Sequence, residues 1–352
     1  MWEHKVCDAL TGRPLLTLQP SDWSWKTGKA PTTASSHTFL MKDNAGITEA
    51  MWDDFTEPWS RCLVSSWHGV PQYAGLVQDA DVDLDAGVVT VQHDEFSRVL
   101  MKRLASGQDA FSRDGVFEVA GKSARSAISA IVQRATQGAP GYNFPVVGFI
   151  GHEPGPVTLR WPFVEFATAR DMLDQIVNQD GAPDMYFRPR WSSLGWLEFV
   201  LEIGSPRLGG PVVEWVRGAP ETPVLGLKVR KIGSEVLTGV IGVGQGTGRD
   251  TVIGFAGGLG TFPVRLDATK QFKSVSDAAV LDRLAMGELR PVERPVKQVS
   301  ITKAPVGVLP NVRVGSGIRL RDIPNGFIGG TTTLEVVGVS STPGGFIGLE
   351  TQ

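Results

Sequence analysis

Apolar and polar residues alternate along much of this 352-residue chain, in short runs that end at glycine-rich breaks. In the segment 197–203 every second residue is apolar, whereas the positions between them carry two glutamates and a valine. A period of two places successive side chains on opposite faces of a strand, so the pattern is typical of half-buried antiparallel strands. The segments 227–230 and 318–321 repeat it, and the run 88–91 indicates a more buried strand.

The glycine content favours the same class of fold. The chain contains 42 glycines among 352 residues, well above the average of roughly 7%. They follow no collagen-like period, so we expect them at turns and bulges between strands.

Helices are fewer and are marked by capping residues. Ser123 is placed to cap one helix, and Thr168 with Asp171 forms a capping box before a second. A third helix is expected over about 94–104, and a fourth begins near Ser276. Because strands precede and follow the helical region instead of alternating with helices, the order predicts a mainly β, α+β fold and not a doubly wound sheet.

Charge and cysteine content exclude several classes of protein. The chain has 34 basic and 37 acidic residues, a net charge of −3 that argues against nucleic-acid binding by broad electrostatics. No apolar run approaches the roughly 18 residues of a membrane-spanning helix. The N-terminus lacks the apolar stretch of a secretion signal. The two cysteines, Cys7 and Cys62, cannot build a disulfide framework and are expected as buried structural thiols.

Two motifs superficially suggest ligand binding. The glycine-rich segment 242–249 has neither the G-x-G-x-x-G spacing nor the lysine of a phosphate-binding loop. It lies between strand-like runs with no helix after it, so we expect a strand connection and no cofactor. The segment 81–87 resembles a calcium loop, but Ala86 and Gln92 stand where the glycine and glutamate are required. We expect a strand with one solvated face there, and no metal.

No catalytic constellation stands out. None of the histidines has a second histidine or cysteine at metal-ligand spacing, and no serine nucleophile elbow is present. We expect each histidine at the surface or in a loop, with no catalytic, cofactor or metal residue in the chain. The five are His4, His37, His68, His93 and His152.

Tryptophans concentrate in the first 70 residues and leave two interpretations open. They fill a core, which is favoured because each large ring buries much area, or they are exposed platforms for sugar rings. Trp23 and Trp25 are expected on one face of a strand. The early tryptophans are Trp2, Trp23, Trp25, Trp52, Trp59 and Trp67.

The order of several segments resembles the tail hub proteins of tailed phages. These are minor tail or tail-tip proteins of siphophages, including phages of actinobacteria, and they are related to the baseplate hubs of contractile tails. The resemblance spans nearly the whole chain. Its segments are Ser21–Trp25, His37–Phe39, Cys62–Val64, Gln72–Val77, Val89–Val91, Phe96–Leu100, Ala169–Leu173, Met185–Pro189 and Gly244–Arg249.

This resemblance implies a division of the chain into two small antiparallel β-barrels with other parts between them. The first barrel is expected over 1–93 and a mixed α/β middle domain over 94–205. The second barrel would combine 206–245 with 292–352, and 246–291 would be an insertion with one helix. No long C-terminal extension follows, so a fused fibre, lysozyme or peptidase domain is not expected.

The resemblance also implies a structural, non-enzymatic role in the virion. Three copies would form a ring at the distal end of the tail tube, adapt the sixfold tube to a threefold tip and anchor fibres or receptor-binding proteins. The expected partners are further copies, the distal tail protein, the tape measure protein and tail fibres. Genomic DNA would pass through the ring without specific binding, and the protein would be made in the host cytoplasm. The alternatives are a carbohydrate-binding tail protein that recognises cell-wall polymer and, less favoured, a tail-associated peptidoglycan hydrolase.

Overall fold

Strands dominate the computed structural model, which describes residues 1–29, 34–105, 115–137, 143–178, 181–216, 219, 225–258, 264–272, 275–290, 292–321 and 330–352. The strands are β1 Trp2–Asp8, β2 Pro14–Leu18, β3 Pro20–Gly28, β4 Ser35–Leu40, β5 Arg61–Trp67, β6 Val70–Asp83, β7 Val88–Glu95, β8 Val116–Lys122, β9 Val146–Val147, β10 Val157–Pro162, β11 Met185–Trp191, β12 Leu197–Ile203, β13 Val212–Val216, β14 Leu225–Ile232, β15 Gly239–Val243, β16 Ile253–Gly257, β17 Asp267–Gln271, β18 Val296–Pro305, β19 Gly317–Arg321, β20 Thr331–Ser341 and β21 Phe346–Thr351. The helices are α1 Glu49–Thr56, α2 Ser97–Leu100, α3 Ala124–Thr136, α4 Ala169–Val177 and α5 Ala278–Leu289.

The chain divides into two compact units. The larger comprises Met1–Val177, Ala182–Leu227 and Ser300–Gln352, and the smaller comprises Asn178–Gly181 and Lys228–Val299. No helix among the described residues is long and apolar enough to cross a membrane.

A long, mainly antiparallel sheet forms the frame of the larger unit. Its strand order is β18-β21-β20-β3-β4-β7-β6-β5-β1-β2, and β19 pairs with β20 and, in parallel, with β13. The mainly β, antiparallel prediction is therefore confirmed. Among the described strands the path ends at β2 without returning to its start, and the two closed barrels stay a prediction.

Strands β1 and β5 are buried on both faces, because each side of the sheet is covered by helices. Val6 and Leu63 lie on one face, in a core that includes Phe55 of α1. The neighbouring residues Cys7 and Cys62 lie on the other face, in a larger core that includes residues of α3 and α4. All five side chains are fully buried, and each large apolar one contributes about 1.5–3 kcal/mol of transfer free energy.

The predicted caps of α3 and α4 are confirmed. Ser123 Oγ accepts a hydrogen bond from the backbone N–H of Ser126 at 3.1 Å. Thr168 Oγ1 accepts from the N–H of Asp171 at 3.1 Å, while Asp171 Oδ2 accepts from the N–H of Thr168 at 2.9 Å. This reciprocal pair satisfies two N–H groups that would otherwise lack partners at the start of α4.

Helix prediction was less accurate elsewhere. The helix expected over 94–104 is wrong in extent, because Asp94 and Glu95 pair as strand residues with Leu76 and Gly75, and α2 is confined to Ser97–Leu100. Pairing with β6 supplies the backbone hydrogen bonds that a helix would otherwise have provided.

Two further helices complete the comparison. The sequence did not indicate α1, whose N-cap is Thr48. It is only eight residues long and too short for a clear period. The fourth predicted helix is confirmed as α5, with Asp277 as its N-cap.

The smaller unit contains a three-stranded sheet that is covered on one face by α5. Its strand order is β16-β15-β17, with β15 antiparallel to β16 and parallel to β17. Val240 and Ala256 pack against Ala285 and Leu289 of the helix. At Gly254 a Cβ atom would lie 2.5 Å from Leu281 Cβ, so this glycine permits the close approach of strand and helix.

Candidate functional site

The glycine-rich segment 242–249 is a strand connection, as predicted. It joins β15 to β16 through a short 3₁₀ turn at Gly248–Asp250. The N–H of Gly244 donates to Val252 O at 2.8 Å, and that of Gln245 donates to Val275 O at 2.8 Å. These two amides bond within the chain, whereas a phosphate cradle needs its amides free.

The segment 81–87 forms the exposed end of the β6–β7 hairpin, which we call the acidic hairpin (residues 81–87). One solvated face was expected, but both are exposed at this end: Val82 is 44% and Leu84 71% exposed. The reason is that the pairing of β5 with β6 begins at Cys62, opposite Leu76, so the last residues of β6 have a strand neighbour on only one side.

No ion pair joins Asp81, Asp83 or Asp85 to another residue within the described part of the chain. Asp83 Oδ1 accepts a hydrogen bond from the N–H of Ala86 at 2.9 Å, which closes the turn. Across the described residues, no group of three or more histidine, cysteine or acidic side chains is arranged to hold a metal ion.

A groove in the larger unit opens near the other end of β6. It has a volume of about 340 Å³ and is lined by residues of the β5–β6 turn, of β11 and of the stretch 309–314. That volume lies in the range of small-ligand pockets. We call it the arginine groove, because its described lining includes Arg188, Arg190 and Arg313 and no acidic side chain.

Two glutamates of β12 hold these arginines. Arg188 Nε donates to Glu202 Oε1 at 2.6 Å, and Arg313 Nη1 lies 3.6 Å from the same oxygen. Arg190 pairs with Glu198 at 3.0 Å. Three guanidinium groups therefore share two carboxylates, which leaves an excess positive charge in the groove.

Three of the histidines are buried together, and the expectation that they lie at the surface or in loops is wrong. His37 Nδ1 lies 2.8 Å from His93 Nε2, and His37 Nε2 lies 3.1 Å from His4 Nδ1. Tyr73 OH lies 2.8 Å from His93 Nδ1, and Ser65 Oγ lies 3.1 Å from His4 Nδ1. We call these five residues the histidine cluster.

Burial keeps the imidazoles neutral. Desolvation lowers the pKa of His4 to about 4 and that of His93 to about 3. It also lowers the pKa of His37 well below its ordinary value of 6.5, with a further contribution from His93 and His4. A neutral imidazole has one N–H and one lone pair, so His37 and His93 can each donate at one nitrogen and accept at the other.

The cluster depends on strand pairing across the sheet. His37 pairs with Val91 in the β4–β7 ladder, and His4 pairs with Ser65 in the β1–β5 ladder. One local feature of the sequence could have indicated that these histidines are buried. Each lies two residues from an inward-facing Val or Phe of the same strand, so its side chain points to the same, inward face.

Aromatic and sulfur residues mainly fill the interior. Trp23 and Trp25 both contact Trp2, with ring centroids 6.4 and 5.8 Å away, as expected for two rings on one face. Trp196 is the one tryptophan of the described residues that is more than a third exposed, at 40%. This does not provide the groove of exposed rings that a sugar-binding surface needs.

The thiols behave as predicted. Cys7 and Cys62 are buried thiols that form no disulfide. They occupy opposite positions in the β1–β5 ladder. Burial raises the pKa of the Cys7 thiol to about 12 and that of Cys62 well above its ordinary range. They are structural groups in the core, because a reactive cysteine needs an accessible thiolate.

Comparison with known proteins gives a result from structure alone. No protein-family model matches the sequence, and no curated protein has a significant match to it.

Three solved structures are similar over essentially all of this chain. The 43 kDa tail protein of prophage MuSo2 from Shewanella oneidensis is 12% identical with a TM-score of 0.62, covering 100% of this chain and 98% of that one. A tail protein from Neisseria meningitidis MC58 is 14% identical with a TM-score of 0.55, covering 99% and 96%. A chain of the half-lidded Francisella PdpA–VgrG complex is 8% identical with a TM-score of 0.50, covering 99% of this chain but 57% of that one. The chain therefore has the fold of these phage tail proteins, and the resemblance to the phage tail family that the sequence indicated is confirmed at the level of the fold.

Proposed function

We propose that this chain is a structural protein of a phage tail and acts through its surfaces, without catalysis. The observation that carries the proposal is the end-to-end structural similarity to the Shewanella tail protein, which covers 100% of this chain and 98% of that one. A match over the full length of both chains indicates that the whole architecture is shared, and not one common module.

In the finer form of the proposal, three copies form a ring at the distal end of the tail tube. The ring would adapt the sixfold tube to a threefold tip, contact the distal tail and tape measure proteins, and anchor fibres or receptor-binding proteins. The two barrels, 1–93 and 206–245 with 292–352, would supply six similar positions from three chains. The same division makes 94–205 a mixed α/β middle domain and 246–291 an insertion with one helix.

Two measurements test this proposal separately. Antibody labelling of intact virions, with virions of an unrelated phage as control, is expected to mark the distal tail tip, and label elsewhere or none would overturn the location. Light scattering of the purified full chain over a range of concentrations is expected to give three times the chain mass. A chain that stays monomeric at high concentration, together with an image of the tip that lacks threefold density, would overturn the ring.

Tryptophan fluorescence distinguishes the proposed structural role from the carbohydrate-binding alternative. With a single tryptophan more than a third exposed within the described residues, cell-wall glycans should leave the intrinsic fluorescence unchanged. Saturable quenching that the Trp196→Ala variant abolishes would favour the alternative instead.

A further inference from the structure

We infer that the acidic hairpin of one copy docks into the arginine groove of a second copy of the same chain. The inference rests on the proposed self-assembly and names the surfaces that would form it.

The arginine groove sets the chemistry of its occupant. Three arginines line it, and their guanidinium groups share two carboxylates of β12, so an occupant with acidic groups gains charge-assisted hydrogen bonds. Other parts of the lining are apolar, including the buried Leu309 and Val339. A well-matched occupant therefore combines carboxylates with an aliphatic side chain.

The acidic hairpin combines these two properties. Asp83 and Asp85 flank Leu84, which is 71% exposed at the turn, and Val82 is 44% exposed beside it. The absence of ion pairs to these aspartates within the described residues leaves their carboxylates available. A protruding leucine flanked by two carboxylates matches, in charge and in polarity, a groove that is basic and partly apolar.

The positions of the two surfaces require that a second copy supplies the contact. The groove is lined by Val70, Pro71 and Gln72 at the start of β6, whereas Asp83 ends the same strand. At about 3.3 Å per residue, the fourteen residues of β6 span on the order of 40 Å. The hairpin therefore cannot reach the groove of its own chain.

A contact between different surfaces of two identical chains is head-to-tail. In an open row of copies joined by such an interface, one hairpin and one groove at the two ends stay unoccupied. If the rotation from each copy to the next brings the last copy back to the first, a closed ring forms in which every hairpin and every groove is occupied. A closed ring is the assembly proposed above.

Charge reversal on each side tests the contact. The hairpin variant is Asp81→Arg with Asp85→Arg, which spares Asp83 and its hydrogen bond to Ala86. The groove variant is Arg190→Glu with Arg313→Glu. Sedimentation of the full chain should show at least a tenfold weaker self-association for either variant, and recovery when all four substitutions are combined in one chain, because every contact of the ring then again joins opposite charges.

A matched control separates the site from general charge effects. Asp53→Arg reverses a carboxylate that is also exposed, on α1 and outside both surfaces, and should leave self-association unchanged. Urea midpoints of all variants are measured alongside, so that a loss of folding is recognised. A photo-crosslinking residue in place of Leu84 should link copies to peptides from β11 or the stretch 309–314.

The outcomes distinguish this inference from the proposed function. If the native chain assembles and both variants assemble equally well, or if crosslinks from position 84 reach other peptides, the docking is refuted while the ring stands. If the native chain stays monomeric but labels the tail tip, the docking is refuted and the tail role stands. If crosslinking from position 84 within virions reaches only another tail protein, the docking is likewise refuted.

Discussion

Lowering the pH should destabilise the folded chain through the histidine cluster. His4, His37 and His93 are neutral and buried in the folded state, with folded pKa values below the ordinary 6.5. The unfolded chain therefore binds more protons than the folded chain once the pH falls below about 6.5. The stability from these groups is fully present above that pH, and it is lost as the pH falls towards about 4 for His4 and 3 for His93.

The size of the effect follows from the proton linkage. At pH 5 an unfolded histidine with a pKa near 6.5 is almost fully protonated, whereas the buried imidazoles stay neutral. The difference is about 2 kcal/mol for each group between pH 7.5 and pH 5. Three groups together give about 6 kcal/mol, which is comparable to the whole stability of many domains, about 5–15 kcal/mol.

The assay is urea unfolding followed by tryptophan fluorescence at several pH values from 7.5 to 5. The free energy of unfolding should fall steeply below pH 6.5, and the His37→Gln variant should lose about one third of that fall, whatever its stability at pH 7.5. If His37→Gln does not fold, His4→Gln at the end of the cluster serves the same purpose. His152→Gln, at an exposed position outside the cluster, is the matched control. A constant free energy across this range, or an undiminished fall in both cluster variants, would refute the reasoning.

Four further tests probe the packing and the capping of the fold. At Gly12, with φ +74°, a Cβ atom would lie 2.0 Å from a carbonyl oxygen of β12, so Gly12→Ala should cost more than 3 kcal/mol in urea unfolding. Gly87→Ala, with φ +64° and open space, should cost only about 1 kcal/mol. Cys7 and Cys62 should react with a thiol reagent only at urea concentrations that unfold the chain. Thr168→Ala removes one half of the capping box of α4 and should lower the unfolding free energy by about 1 kcal/mol.

Features encoded by neighbouring residues were predictable from the sequence. The caps at Ser123 and Thr168 depend on residues three positions away, and the strand over 197–203 depends on a period of two. The helix expected over 94–104 failed where a long-range effect intervened, because β6 pairs with Asp94 and Glu95. Tertiary pairing overrides a local helical tendency when it supplies the same backbone hydrogen bonds.

The candidate surfaces required the fold itself. His4, His37 and His93 are distant in sequence, and only the registers of two ladders bring their rings together. The arginine groove likewise combines Arg190 with Arg313 from separate segments. The acidic hairpin was visible as a sequence motif, but its exposure on both faces follows from the point in β6 where the pairing with the first residues of β5 stops.

Strand β6 connects the two surfaces to the interior. Its first residues line the arginine groove. Its Tyr73 hydroxyl lies 2.8 Å from His93 Nδ1, and its last residue, Asp83, belongs to the acidic hairpin. A slip of one residue would turn Tyr73 away from His93 and leave buried polar groups without partners, which costs free energy. The histidine cluster therefore holds the register of the strand that positions both surfaces.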